Sequence, residues 1–156
     1  MTQSPLDPRV ICSTISFRRL DLEAALAQIS ALGFRAVDLG ALPGVCDHVP
    51  YELTDEAVTE VAATFTSSGL EVRSINADIG DLNRPVNEAE RAERDAHLER
   101  LVDLAVRTSS PAIVLPCGAQ SAEPIVDLET DIALVASELR RRTEALIVKA
   151  EEPATA

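Results

Sequence analysis

Five short runs rich in β-branched residues alternate with four amphipathic stretches, and no two of the runs are neighbours. They read VICSTISF (residues 10–17), AVDLG (36–40), LEVRSIN (70–76), AIVLPC (112–117) and LIVKAE (146–151). A hairpin needs two strands joined by a tight turn, and here a helical stretch always intervenes. The order is therefore β-α-β-α-β-α-β-α-β, which calls for parallel strands joined by right-handed crossovers. This pattern places the chain in the α/β class, with about five strands and four helices.

The helical stretches carry their own punctuation. Leu22, Ala25, Leu26, Ile29 and Leu32 recur at spacings of three and four, with Asp21 at the N-cap position and Gly33 just past the end. Thr54 caps the second stretch, with Leu53 and Val58 spaced as a hydrophobic staple, Val61, Ala62 and Phe65 on the stripe, and Gly69 as the stop. Asn87 and Glu90 form a capping-box variant ahead of a third stretch that runs through Ala105. The fourth has Leu128, Ile132, Val135 and Leu139 on one face and Arg140, Arg141 and Arg142 near the expected C-terminal end, where cations suit the helix dipole. The segments ALGFRAVDLG and SSGLEVRSIN echo each other with glycines 36 residues apart, about one βα unit.

A chain of 156 residues is long enough for one well-cored domain, expected here over residues 1–156. Hydrophobic residues make up 46% and charged residues 26%, a globular composition. Lys and Arg number 14 against 26 Asp and Glu, a net charge of −12 that repels phosphate backbones and argues against nucleic-acid binding. No apolar run reaches the roughly 18 residues of a membrane span, and no basic-then-apolar leader is visible, so a cytoplasmic location is expected. Cys12, Cys46 and Cys117 are widely spaced with no CxxC pair, as reduced thiols would be.

In parallel α/β folds chemistry collects at the C-terminal ends of strands. The loop ALPGVCDHVPYE after the second run holds Cys46, Asp47, His48 and Tyr51. His48 beside Asp47 suits acid–base work or metal binding; alternatively Asp47 caps a turn and His48 bonds to backbone. His97, among charged residues mid-helix, reads as solvated. Ser74, Asn76 and Asp78 alternate and so point to one side, either lining a polar pocket for sugar hydroxyls or organising the loop before Pro85. Cys117 stands near a strand end without a neighbouring His or Lys to activate it. Glu151 closes the fifth run as a hard oxygen ligand for a divalent ion, or as a charged terminus in water. No GxGxxG, GxxxxGK[ST], HExxH or GxSxG occurs.

The loop GALPGVCDHVPYEL, the run ICSTISF and the segment VKAEEP together resemble the xylose isomerase-like superfamily, in its sugar phosphate isomerase/epimerase branch. The resemblance implies a (β/α)8 TIM barrel, of which this chain would be the N-terminal portion, apparently truncated after strand five, since a full barrel needs about 250 residues. It implies metal-dependent proton transfer on a sugar or polyol in the full-length form, with Mn, Mg or Zn held at later strand ends. Glu151 matches the family's strand-five Glu, and Ala154 stands where a His is usual. His48, Ser74 and Asn76 would then face the substrate, a sugar or sugar phosphate. One carboxylate supplies too few ligands, so tight metal binding by this chain is not expected.

A different reading keeps the strands and drops catalysis: an open, flavodoxin-like sheet in the order 2-1-3-4-5, serving as a binding or regulatory module. A partial barrel would instead run 1-2-3-4-5 and leave strand edges exposed, which favours self-association.

Overall fold

In the computed structural model the described residues are 6–118 and 123–151, with the side chains of 144–151 excepted. They form β1 (Cys12–Ser13), α1 (Leu22–Ala31), β2 (Ala36–Ala41), α2 (Asp55–Ser68), β3 (Glu71–Ala77), α3 (Glu88–Arg107), β4 (Ile113–Val114) and α4 (Leu128–Glu151), with a 3₁₀ turn at Thr14–Phe17 after β1. The four strands pair in parallel in the order β1-β2-β3-β4. Consecutive winding is the order of a partial TIM barrel; an open doubly wound sheet would place the first strand inside the second.

The caps behave as the sequence dictates. The Asp21 carboxylate accepts from the Ala24 amide, and the Thr54 hydroxyl from the Ala57 amide. Asn87 and Glu90 exchange both bonds of a capping box, each 3.0 Å long. Gly69 closes α2 at φ 68°, and Ser109 takes φ 55° after α3, the left-handed position that glycine fills elsewhere.

Two strands are shorter than their apolar runs, for local reasons. After Ser13 the chain winds into the 3₁₀ turn, and the Thr14 hydroxyl accepts from the Gly40 amide at 2.9 Å in place of a ladder bond. β4 lies between Pro111 and Pro116, neither of which can donate to a ladder, so it is confined to two residues.

The fifth strand expected over 146–150 is not formed: that run continues α4, which extends to Glu151. Every earlier helix stops at Gly33, Gly69 or the Ser109-Ser110-Pro111 join, whereas no glycine or proline stands between Arg140 and Glu151. With Leu, Ala, Glu and Lys throughout, nothing interrupts propagation, and helix outcompetes the β preference of Ile147 and Val148.

The chain divides into two compact units. The first holds the described residues up to Ile79 together with Ala96–Leu115. Its right-handed crossovers set α1, α2 and the second half of α3 on one face of the sheet. Val37, Leu39, Ile75 and Ala77, all 0% exposed, occupy that face, and Leu26, Ile29, Val58, Phe65, Leu101 and Leu104 cover it.

The second holds Gly80–Asp95 and the described residues from Pro116 onward. Leu82 is buried there, but α4 buries a polar stripe: Asp131, Glu138 and Arg142 are all under 9% exposed. Glu138 pairs with Arg142 at 2.8 Å and Arg141 at 3.1 Å, while Arg141 grips Asp95 through two bonds of 2.7 and 2.8 Å. The buried Arg94 guanidinium lies against Gly80 (φ 89°), where an added Cβ would sit 3.1 Å from its Nε.

Candidate functional site

The sheet's second face is polar. Parallel register sets Ser13 beside Asp38 and Asp38 beside Ser74. Both hydroxyls donate to the one carboxylate, Ser13 to Oδ2 at 2.9 Å and Ser74 to Oδ1 at 2.6 Å. A shift of register between Val37 and Asp38 leaves Arg73 as the extra residue, so Ser74 rather than Arg73 comes opposite the aspartate. Further along, Gly40 pairs with Asn76, and Asn76 with Val114. Ser13, Asp38, Ser74 and Asn76 are half-buried, and Val114 is exposed. This side of the sheet therefore presents a fixed acceptor and a carboxamide that can both donate and accept.

Ser74 and Asn76 thus share a face, as their alternation requires. Asp38, a charge inside a buried strand, is the centre of the row and is missing from the sequence-derived candidates. Its signal was a lone carboxylate in AVDLG at a position of the same parity as the glycine that follows.

His48 does not join that row. It is 7% exposed, its Nε2 is 3.0 Å from the Leu20 carbonyl, and its Nδ1 is 3.2 Å from the Cys46 thiol. A carbonyl can only accept, so the neutral ring carries its proton on Nε2, and Nδ1 accepts from the thiol. Burial pushes the Cys46 thiol above its ordinary value, which keeps it protonated and able to donate. Asp47 accepts from the Gly44 amide at 2.8 Å and closes the turn. Both bonds of the structural alternative, turn cap and backbone partner, are present. The loop packs on the sheet through Gly40, where a Cβ would fall 2.7 Å from the Cys46 sulfur and 2.9 Å from Ile15. Glycine is required at that close approach.

His97 is half-buried and stacks on Tyr51 with ring centroids 4.4 Å apart, which corrects its reading as a solvated residue. Helical burial of Leu98 and Leu101 carries it against the loop. Cys117 is exposed. The backbone of Glu151 ends a helix rather than a strand, so the strand-end position on which its metal role rested does not exist; its side chain lies outside the described residues. Among the described residues no group of three or more His, Cys, Asp and Glu side chains is arranged to hold a metal ion. None of their helices is long and apolar enough to cross a membrane. A groove between α1 and α2, lined by Glu23, Ser30, Glu60 and Thr64, opens among the helices and not on the polar row.

No protein-family model matches the sequence, and no curated protein does. Among solved structures the chain is similar to the apo form of 3-keto-D-glucoside 4-epimerase, YcjR, from E. coli, at 17% identity and a TM-score of 0.55. The match is one of fold. It covers 77% of this chain and 44% of the epimerase, so the chain spans less than half the length of that protein. The α/β architecture with consecutive parallel strands is that of a partial TIM barrel, and the relationship it supports is distant.

Proposed function

We propose that this chain forms one wall of a sugar isomerase- or epimerase-like (β/α)8 protein, and that a hydroxyl-rich small molecule seats against its polar sheet face. The observation that carries the reading is Asp38 held between Ser13 and Ser74 on the face opposite the helices. A strand that buries both faces in a plain α/β core is apolar throughout. Here one face is apolar and the other offers an anchored carboxylate whose oxygens keep lone pairs free for ligand hydroxyls. Asn76 adds a donor and an acceptor about two residues nearer the C-terminal rim, where barrel sites are built. The fold's similarity to a protein titled as a sugar epimerase favours a sugar or sugar phosphate as the ligand.

Metal-dependent proton transfer, which the sequence resemblance implies for the complete family form, finds no ligand set among the described residues. His48 commits both nitrogens to Cys46 and Leu20, and Asp38 is tied to two serines. The described residues do not form a site for a divalent ion. Asp38 and Asn76 are therefore binding residues in this reading.

Calorimetric titration of the full chain with a panel of ketoses, 3-ketoglycosides and their phosphates tests it. Millimolar binding is expected for at least one, weakened about tenfold or more in Asp38→Ala, on the usual scale of a hydrogen bond to a charged group. Binding that survives both Asp38→Ala and Asn76→Ala, or no binding across the panel, contradicts the proposal.

A further inference from the structure

α4 is turned the unexpected way round. Its apolar positions Leu128, Ile132, Val135 and Leu139 follow one another at spacings of four, three and four, the seam spacing of paired helices. That stripe would ordinarily face the core. Instead Asp131, Glu138 and Arg142 face inward, while Leu128 is 66% exposed, Ile132 59% and Leu139 39%. Ile125 and Val126, just before the helix, are exposed as well. Val135, between Ile132 and Leu139, is half-buried. Water-facing apolar residues scattered singly need no explanation; three on one face of a single helix do.

The ends of the same helix differ in charge. Asp127 and Glu129 stand exposed at its start, and Arg140 stands exposed about three turns further on, past the seam. Two copies of α4 laid antiparallel about the point between Ala133 and Leu134 bring Leu128 onto Leu139 and Ile132 onto Val135. The same alignment sets the acidic start of each helix beside Arg140 of the other. Parallel pairing would bring like charges together at both ends.

We infer that the exposed face of α4 is a self-association surface, occupied by α4 of a second copy in antiparallel, two-fold symmetric pairing. The seam is self-complementary in both shape and charge, as an isologous contact must be. A contact confined to one pair of helices falls at the small end of specific interfaces, which sets the expected affinity in the micromolar range. The surface is distinct from the strand edges at β1 and β4 and does not depend on the sugar-binding reading.

Sedimentation equilibrium on the full chain between 1 and 200 µM tests it. A reversible dimer is expected. Ile132→Glu and Leu128→Glu each change only an exposed side chain, so the far-ultraviolet circular dichroism should be unchanged while the dimer is lost. Arg140→Glu should raise the dissociation constant about tenfold, because it sets a carboxylate beside Asp127 and Glu129. A monomer throughout the range overturns the proposal, as does a dimer that persists in both seam variants, which would move the contact to another surface. An Arg140→Glu dimer of unchanged affinity overturns the antiparallel arrangement.

Discussion

The two compact units bury opposite chemistries. Around the sheet, the fully covered side chains are Leu26, Ile29, Val37, Leu39, Val58, Ile75, Leu101 and Leu104. In the other unit the inward stripe of α4 is Asp131, Glu138 and Arg142, with Asp95 of α3 paired to Arg141 and Arg142. The first is held by surface removed from water, a term with no preferred direction and little sensitivity to salt. The second depends on each buried charge being answered, Glu138 by Arg141 and Arg142, and Asp131 by the Ile125 and Val126 amides and the Asn83 carboxamide. A buried ion pair loses far more when one partner goes than the pair contributes together. The sheet unit can therefore tolerate a polar row on its free face, because its stability comes from the other side.

The contrast breaks most sharply at Glu138. This carboxylate is shared by Arg91, Arg141 and Arg142, at 3.6, 3.1 and 2.8 Å. Glu138→Ala should destabilise the helical unit by about 3–5 kcal/mol, the usual cost of leaving a buried partner charge uncompensated. Urea unfolding followed by hydrogen exchange in α4 would show it. The double variant Glu138→Leu with Arg142→Met should recover most of that loss, because two apolar groups of similar size replace the pair.

In the sheet unit the corresponding break is Ile75→Ala, at a position 0% exposed. It should cost about 2–5 kcal/mol through lost transfer energy and the cavity left behind. The same denaturation series should show exchange accelerated in β2 and β3 and little change in α4.

Gly40→Ala is a smaller effect of a different kind. Its new methyl would overlap the Cys46 sulfur and Ile15, so the loop after β2 must shift, at about 1–3 kcal/mol. The Cys46–His48 bond should lengthen with it, which the His48 ring resonances would report.

The two halves of the comparison were unequally legible in the sequence. Asp21, Thr54, the Asn87–Glu90 box, Gly33 and Gly69 fixed three helices closely, because capping is local chemistry between residues three apart. The alternation implied parallel strands but left the orders 1-2-3-4-5 and 2-1-3-4-5 both open, and the structure has the consecutive one. The fourth helix was misread in its length, which depended on the absence of a stop signal; its inward face rests on ion pairs with α3 that no apolar periodicity announces. At the candidate site, Ser74 and Asn76 were visible from their parity. Asp38 was not, since its partners Ser13 and Ser74 come from strands 25 and 36 residues away. His48 looked chemical because its neighbours in sequence are polar; its real partners are a thiol two residues back and a carbonyl 28 residues away.

Acid should separate the units gently. The Arg141 guanidinium holds the Asp95 carboxyl below its ordinary value, with further lowering from Arg142 and Arg91 against the opposing effect of burial. A carboxyl lowered in the folded state contributes stability above its unfolded value, near 4, and that contribution fades as the pH falls through the folded value. Exchange in α4 and the first half of α3 should therefore quicken below about pH 4, while β2 and β3 stay protected. Equal loss in both units would erase the distinction.

Where a sugar touches the chain is the most direct test of the polar sheet face as a binding surface. Amide chemical shifts recorded on ¹⁵N-labelled protein during titration with a ketose should move at Ser13, Asp38, Ser74 and Asn76, and stay still in α4. Shifts confined to the arginine cluster of the helical unit, or to the groove between α1 and α2, would contradict it.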